Sequence, residues 1–264
     1  MLMDYLKEMR RRKDLLLYLV KSGLKAEHRN SYLGYFWWLL DPLLNVVVYY
    51  FLVVVVLGRG GENFAVYLVI GLVVWRWITT TVNTSAKAIT KYSSIINQVY
   101  LPKSIFPLAT ASTQLFNFTF GLIVIAIFLT AFGVIPGWEV ILLPVLILIQ
   151  ILFLLAISLV VSYSCVFIRD IDNILSHILR VFFYASPIIW EAREVPEQYE
   201  WILNIAVNYN PVAILVTSYR DILMYQQLPQ HLTGLFVICG TSIVVIILTL
   251  YYYSKNEHKI IKAL

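Results

Sequence analysis

Long apolar runs separated by short polar stretches set the pattern of this chain, and most of them reach the ~20 residues that a helix needs to cross a bilayer. Six spans are predicted, roughly Phe36–Leu57, Phe64–Asn83, Phe106–Phe132, Val140–Ile168, Ile174–Trp190 and Leu232–Tyr253. The first follows an aromatic lead-in and carries Asp41 and Pro42, which predicts a bend. Gly58, Gly60 and Gly61 turn the chain into the second span, and Gly133, Pro136 and Gly137 turn it out of the third. The fourth is long enough to tilt or to project beyond the bilayer, and it ends in the charged turn Arg169-Asp170-Ile171-Asp172; the fifth is short.

Three stretches break the pattern. Between the second and third spans, Ala88, Ile89, Tyr92, Ile95, Ile96, Val99 and Tyr100 recur at helical spacing, with Lys87, Lys91, Ser93, Asn97 and Gln98 on the other face. This predicts an amphipathic helix from Ser85 to Leu101, stopped by Pro102 and carrying a docking face. At the start, Arg10, Arg11, Arg12 and Lys13 precede Leu15–Val20, a run too short to span. A secretory signal would have a longer apolar core ending in small residues, whereas Lys21 and Lys25 follow here, so the expected element is a helix lying on the cytoplasmic leaflet, within residues 1–35. After the fifth span, Glu191, Glu194, Glu197 and Glu200 lead into two fragments, Trp201–Val207 and Val212–Ser218, broken at Asn208-Tyr-Asn-Pro211. Neither fragment can cross a membrane, which predicts a re-entrant or surface hairpin over residues 191–231.

Composition sharpens this into an all-α polytopic membrane protein: 60% of the 264 residues are hydrophobic and only 13% are charged. The net charge of +5 belongs to topology. With both termini cytoplasmic, the N-terminal cluster, Lys87, Lys91, Lys103, Arg169, Lys255, Lys259 and Lys262 fall inside, leaving mainly Arg59, Arg193 and Arg220 outside. Basic residues placed this way argue against nucleic acid as a partner. No internal repeat or linker divides the chain, so one domain over residues 1–264 is expected. Cys165 and Cys239 both lie in apolar segments, and the four histidines are scattered, so neither a disulfide framework nor a metal site is expected. No glycine precedes a lysine, which excludes a GxxxxGK[ST] phosphate loop; a serine elbow and an HExxH helix are absent too. Energy for any active process must therefore enter from outside this chain.

Several motifs then carry a family resemblance. Arg29-Asn-Ser-Tyr-Leu-Gly-Tyr-Phe-Trp-Trp-Leu-Leu-Asp-Pro-Leu-Leu44, Val99-Tyr-Leu-Pro-Lys-Ser-Ile-Phe-Pro-Leu-Ala109, Ile168-Arg-Asp-Ile171, Tyr184-Ala-Ser-Pro-Ile-Ile-Trp190, Asn210-Pro and Tyr219-Arg-Asp-Ile-Leu223 stand in this order. Together they resemble the type-2 ABC exporter permeases that handle polysaccharides, most of all the teichoic acid translocation permeases and the related O-antigen export permeases. Asp41 stands where the resemblance leads to an asparagine, and Ser104 follows Lys103 where an acidic residue is more usual.

The resemblance implies a homodimer in the bacterial cytoplasmic membrane, paired with two separate ATP-binding subunits that hold ATP and Mg; this chain itself would bind no cofactor and catalyse nothing. The cargo would be a lipid-linked anionic glycopolymer, wall teichoic acid-like, or alternatively an O-antigen or capsular polysaccharide. A drug or small-lipid permease is a further alternative, and a membrane glycosyltransferase or an ATP-independent scramblase a different class. The loop over residues 85–105 would couple to the ATPase through Lys91, Tyr92, Ile96, Val99, Tyr100, Leu101 and Lys103. Trp190, Glu191, Pro211 and Arg220 would belong to an external gate. Arg76, set between Trp75 and Trp77 inside a span, either lines the translocation path and attracts phosphates, or is paired or snorkelling near an interface. Tyr35, Phe36, Trp37, Trp38 and Tyr49 share that ambiguity, since aromatic rings serve both sugar stacking and interfacial belts.

Overall fold

The computed structural model describes residues 2–27, 32–96, 101–168, 170–191 and 195–263, and every regular element among them is helical. In chain order these are α1 (Leu2–Arg11), α2 (Lys13–Glu27), α3 (Trp37–Tyr50), α4 (Phe64–Ala86), α5 (Ser93–Ile96), α6 (Ile105–Ala131), α7 (Leu143–Phe167), α8 (Ile171–Ala185), α9 (Glu200–Asn208), α10 (Pro211–Leu223) and α11 (Leu232–Ala263). Five helical segments are long and apolar enough to cross a membrane: Gly34–Val56, Phe64–Ala86, Ile105–Ala131, Trp138–Phe167 and Leu232–Ala263. They correspond to five of the six predicted spans. The remaining one, α8, has 15 residues, about 22 Å of helix, and falls short of that length.

α4 is the axis of the bundle. It has the lowest mean hydropathy of the five segments, 1.6, yet 78% of its apolar window is buried, against 17–33% for the others. The two facts have one cause: Gly71, Thr81 and Ser85 face protein, so the helix need not be greasy all round. α3, α6, α7, α8 and α10 all pack on it. α3 contains Pro42 and, after Tyr50, widens into one π-helical turn, Phe51–Val56, where the Leu57 N–H reaches back five residues to the Leu52 carbonyl (3.1 Å).

Ties between loops define two ends. At one end Tyr5 Oη meets Ser104 Oγ (2.9 Å), Lys103 meets Glu257, and Lys87 Nζ meets Asp172 Oδ2 (3.0 Å), so α1, the tail of α11 and the α4–α6 connection lie together. At the other end Tyr67 Oη donates to the Pro187 and Trp190 carbonyls (3.2 and 2.7 Å), and Gln226 Nε2 donates to the Ile135 carbonyl (2.7 Å). α8 begins beside Lys87, just past the last turn of α4, and leads to residues beside Tyr67 in its first turn. It therefore runs antiparallel to α4.

Two predicted elements are corrected. The helix expected over Ser85–Leu101 is not continuous: Ser85 and Ala86 complete α4, a turn and a single 3₁₀ turn (Thr90–Tyr92) follow, and α5 (Ser93–Ile96) runs up to residues 97–100, which lie outside the described residues. The N-terminal helix is two, α1 and α2, and α2 runs alongside the first half of α6, where Gly23 faces Thr113 and Glu27 accepts from Asn117 Nδ2 (2.8 Å). The hairpin fragments form α9 and α10. Asn210 caps α10, its side chain accepting from the Val212 N–H (2.9 Å), with Pro211 in the first turn.

Candidate functional site

Three groups of polar residues stand inside this apolar bundle. The first surrounds Arg76. Its Nη2 donates to Asp41 Oδ2 at 2.8 Å, linking α4 to α3, and the two side chains are 37% and 36% exposed. A half-exposed pair contributes about 1 kcal/mol or less to stability. Both residues line a cavity of about 170 Å³ shared with Glu27, Thr80, Gln114 and Asn117. A second cavity of about 220 Å³ shares Glu27 and Gln114 with it and continues past Gly23, Thr84 and Thr113 to Lys91 and Tyr92. Polar groups thus follow one another along the α2–α4–α6 groove, from the connection between α4 and α6 to the middle of α4. Asparagine at position 41 would leave Arg76 without its ionic partner.

Of the aromatic residues expected on the path, Trp38 lines this cavity, but it is buried and packs on Phe116 and Phe120 of α6 (ring centroids 5.9 and 4.7 Å apart). Tyr35 and Phe36 are exposed, Trp37 is half-buried, and Tyr49 lies across on α8, 5.6 Å from the Phe183 ring.

The second group is the α4–α6 connection. Among the residues expected to dock on a partner, Val99 and Tyr100 lie outside the described residues. Lys91 is exposed. Ile96 and Leu101 are buried in the chain's own core, and Tyr92 stacks on Phe106 at 5.0 Å. Lys103 is fully buried: its Nζ lies 3.5 Å from Glu257 Oε1, which also accepts the Lys103 backbone N–H (3.1 Å). The acid that the resemblance places next to this lysine comes instead from α11. Ser104 in turn holds Tyr5 of α1, so its hydroxyl has a partner of its own. These residues anchor the connection from within, while Lys87 and Lys91 are exposed on it.

The third group is at the opposite end. Arg220 of α10 is 1% exposed. Its Nε and Nη2 donate to the Tyr67 carbonyl (3.2 and 3.0 Å), Nη2 donates to Ile188 O (3.0 Å) and Nη1 to Pro187 O, while its guanidinium lies 3.3 Å from the Tyr67 ring centroid. Gly71 makes this approach possible, because a Cβ there would sit 2.5 Å from Arg220 Nη2. The buried Glu191 and Asp221 are near enough to offset the charge. Trp190 Nε1 donates to the Tyr184 carbonyl (3.0 Å), closing the end of α8. Sequence reasoning placed Arg220, Trp190, Glu191 and Pro211 at a common end, but it gave no sign of the fork into three carbonyls. Glu257, Gln114, Asn117 and Gly71 were missed, since a lone polar residue in an apolar run does not name its partner.

Among the described residues no cluster of histidine, cysteine, aspartate or glutamate could hold a metal ion. The family model described as "ABC-2 type transporter" matches residues 14–224. The chain belongs to the ABC-2 type transporter family. It is 32% identical over 240 residues to the O-antigen export system permease protein RfbA of Myxococcus xanthus, covering 91% of each chain. It is 28% identical over 242 residues to the protein of that name from Klebsiella pneumoniae, covering 90% of this chain and 91% of the relative. The ABC-2 permease is thus a multi-pass membrane protein and a transporter subunit rather than a catalyst, from a family that works with an ATP-binding partner. Neither relative's name mentions teichoic acid; the cargo both names carry is the alternative set out above.

Proposed function

We propose that this permease is the membrane subunit of an ATP-driven exporter that carries a lipid-linked glycan of the O-antigen class outward across the cytoplasmic membrane. The observation that carries this reading is similarity to O-antigen export permeases along nine-tenths of the chain, rather than in one motif. Two copies of the permease would flank the conduit, each with an ATP-binding subunit that holds ATP and Mg. The end bearing Arg10–Lys13, Lys87, Lys91 and Lys255–Lys262 is cytoplasmic by the excess of lysine and arginine there. α8 then makes a sixth crossing, with α9 and α10 returning to the outer side; its ties at both ends of α4 support that assignment.

In this mechanism the partner would bear on the α4–α6 connection, whose buried ties to α1 and α11 carry the movement into the bundle. The Arg76 groove offers hydroxyl and amide groups to sugars and a guanidinium to phosphate, with Asp41 holding that cation while it is vacant.

The reading is tested in vesicles holding the permease with its ATP-binding subunit and a radiolabelled lipid-linked O-polysaccharide. ATP is expected to move the label to the far leaflet. Arg76→Gln should slow that movement about tenfold, the loss of one charge-assisted contact of ~1.5 kcal/mol, with the amount of folded protein unchanged. Wild-type permease that leaves the label in place with ATP present overturns the export reading. Full export by Arg76→Gln would leave Arg76 as only a pairing residue.

A further inference from the structure

α8 joins the two ends of the bundle and places a row of polar and charged side chains on its exposed side. Asn173, Ser176, His177, Arg180 and Tyr184 are all exposed and recur at intervals of three and four, so they share one face. Ile174, Ile178 and Val181, also exposed, form a separate apolar strip beside it, while Leu179 and Phe183 are buried on the opposite side. Arg180 sits roughly 12 Å along the helix from Asp172, near the midpoint between the two ends. Asp172 is occupied by Lys87, and among the described residues no acid pairs with Arg180.

A charge without a partner at mid-depth is not left against acyl chains; it faces water or an opposing charge. The rest of the strip fits water as well. Tyr49 of α3 packs on the ring of Phe183, the residue before Tyr184, at 5.6 Å, so the last turn of α8 lies beside the first span. Resting on the export reading above, we infer that this face of α8 lines the wet conduit, and that Arg180 is an anion contact for acidic groups, phosphate or carboxylate, along the exported chain. In a twofold assembly with this face turned inward, two Arg180 guanidiniums face one space with no acid from the described residues of this chain between them. An anionic group on the cargo relieves that repulsion, whereas a neutral one does not. Arg180 thereby adds an anion contact with no paired acid among the described residues, whereas the Arg76 guanidinium must leave Asp41 to take a phosphate.

The test reads the face without requiring export. Cys165 and Cys239 are replaced by alanine, Ser176→Cys is introduced as a reporter, and the assembled transporter in membrane vesicles is treated with two membrane-impermeant methanethiosulfonates, one anionic and one cationic. Relative to the same pair of reagents on free cysteine in solution, the anionic reagent is expected to be favoured about tenfold. Adding Arg180→Gln should abolish that preference, Arg180→Lys should keep it, and Val181→Cys on the apolar strip should react with neither. Asn173→Cys, one turn away, is a second reporter and should behave as Ser176→Cys does. Reporters that react with neither reagent, or an anion preference that survives Arg180→Gln, overturn the proposal. The export reading fails separately: an anion-selective face in a transporter that moves no glycan rejects that reading alone, and export through a dry or unselective α8 face rejects this one.

Discussion

Replacing Arg220 with alanine is expected to detach α10 from the bundle and cost at least ~4 kcal/mol of stability. The size follows from what the guanidinium leaves behind. Three carbonyls, of Tyr67, Pro187 and Ile188, converge on it in a fully buried place, and each loses a charged donor that water cannot replace. The Tyr67 ring loses its cation as well. Arg220→Lys is expected to recover under half of the loss, since one ammonium cannot fork to carbonyls on two elements. Gly71→Ala should do comparable harm from the other side, because its methyl group would meet both Arg220 Nη2 and, at 3.1 Å, the Ile188 carbonyl. Thermal unfolding in detergent, read on wild type and the three variants, checks the order: alanine at 220 and at 71 lowest, lysine at 220 between them and wild type. Unchanged unfolding of Arg220→Ala would mean that α10 is held by its apolar face alone.

The second large effect is expected at the other end. Lys103→Ala leaves Glu257 buried without its cation, and breaking a buried pair from one side costs ~3–5 kcal/mol. Function should suffer beyond stability, because this pair ties the exit of the α4–α6 connection to α11, while Ser104 beside it ties that connection to α1. A partner pushing on the connection moves three helices only while these ties hold. In the milder variant Glu257→Gln, which can still accept from the Lys103 N–H, folded protein should remain, with ATP hydrolysis continuing and export falling at least about tenfold. Measuring hydrolysis and export on the same vesicles checks it; a parallel fall in both would make the pair merely structural.

The spans were the legible part of this fold, because an apolar run long enough to cross a bilayer has little else to become. Phe106–Phe132 against α6 and Leu232 at the start of α11 agree within a residue. What failed were elements whose ends are set by tertiary contacts. The pattern over Ser85–Leu101 is periodic, yet Ile89 and Ile96 are buried in one cluster with residues of α1, α2, α6, α7 and α11, and the backbone leaves the helix between Ala86 and Ser93. Similarly, the chain kinks at Asn256 and resumes as helix to Ala263, because Glu257 and Ile260 have buried partners that hydropathy does not register. At the site, Arg76 was conspicuous as a charge in a span, and Asp41 as a departure from the expected asparagine. Their pairing, 35 positions apart, belongs to the geometry of α3 on α4. The polar face of α8 was written in the sequence at helical spacing, but the short run around it read only as a weak span.

Site-specific photo-cross-linking at Lys91 in the assembled transporter tests most directly whether an ATP-binding subunit drives this permease through the α4–α6 connection. Lys91 is exposed beside that connection, whereas Gln226 lies at the far end of the bundle. Coupling through this connection predicts a cross-link from position 91 to the ATP-binding subunit that changes in yield when ATP is bound, and none from position 226. An assembly that stays together, yet gives no such cross-link from 91 or gives one from 226, would contradict it.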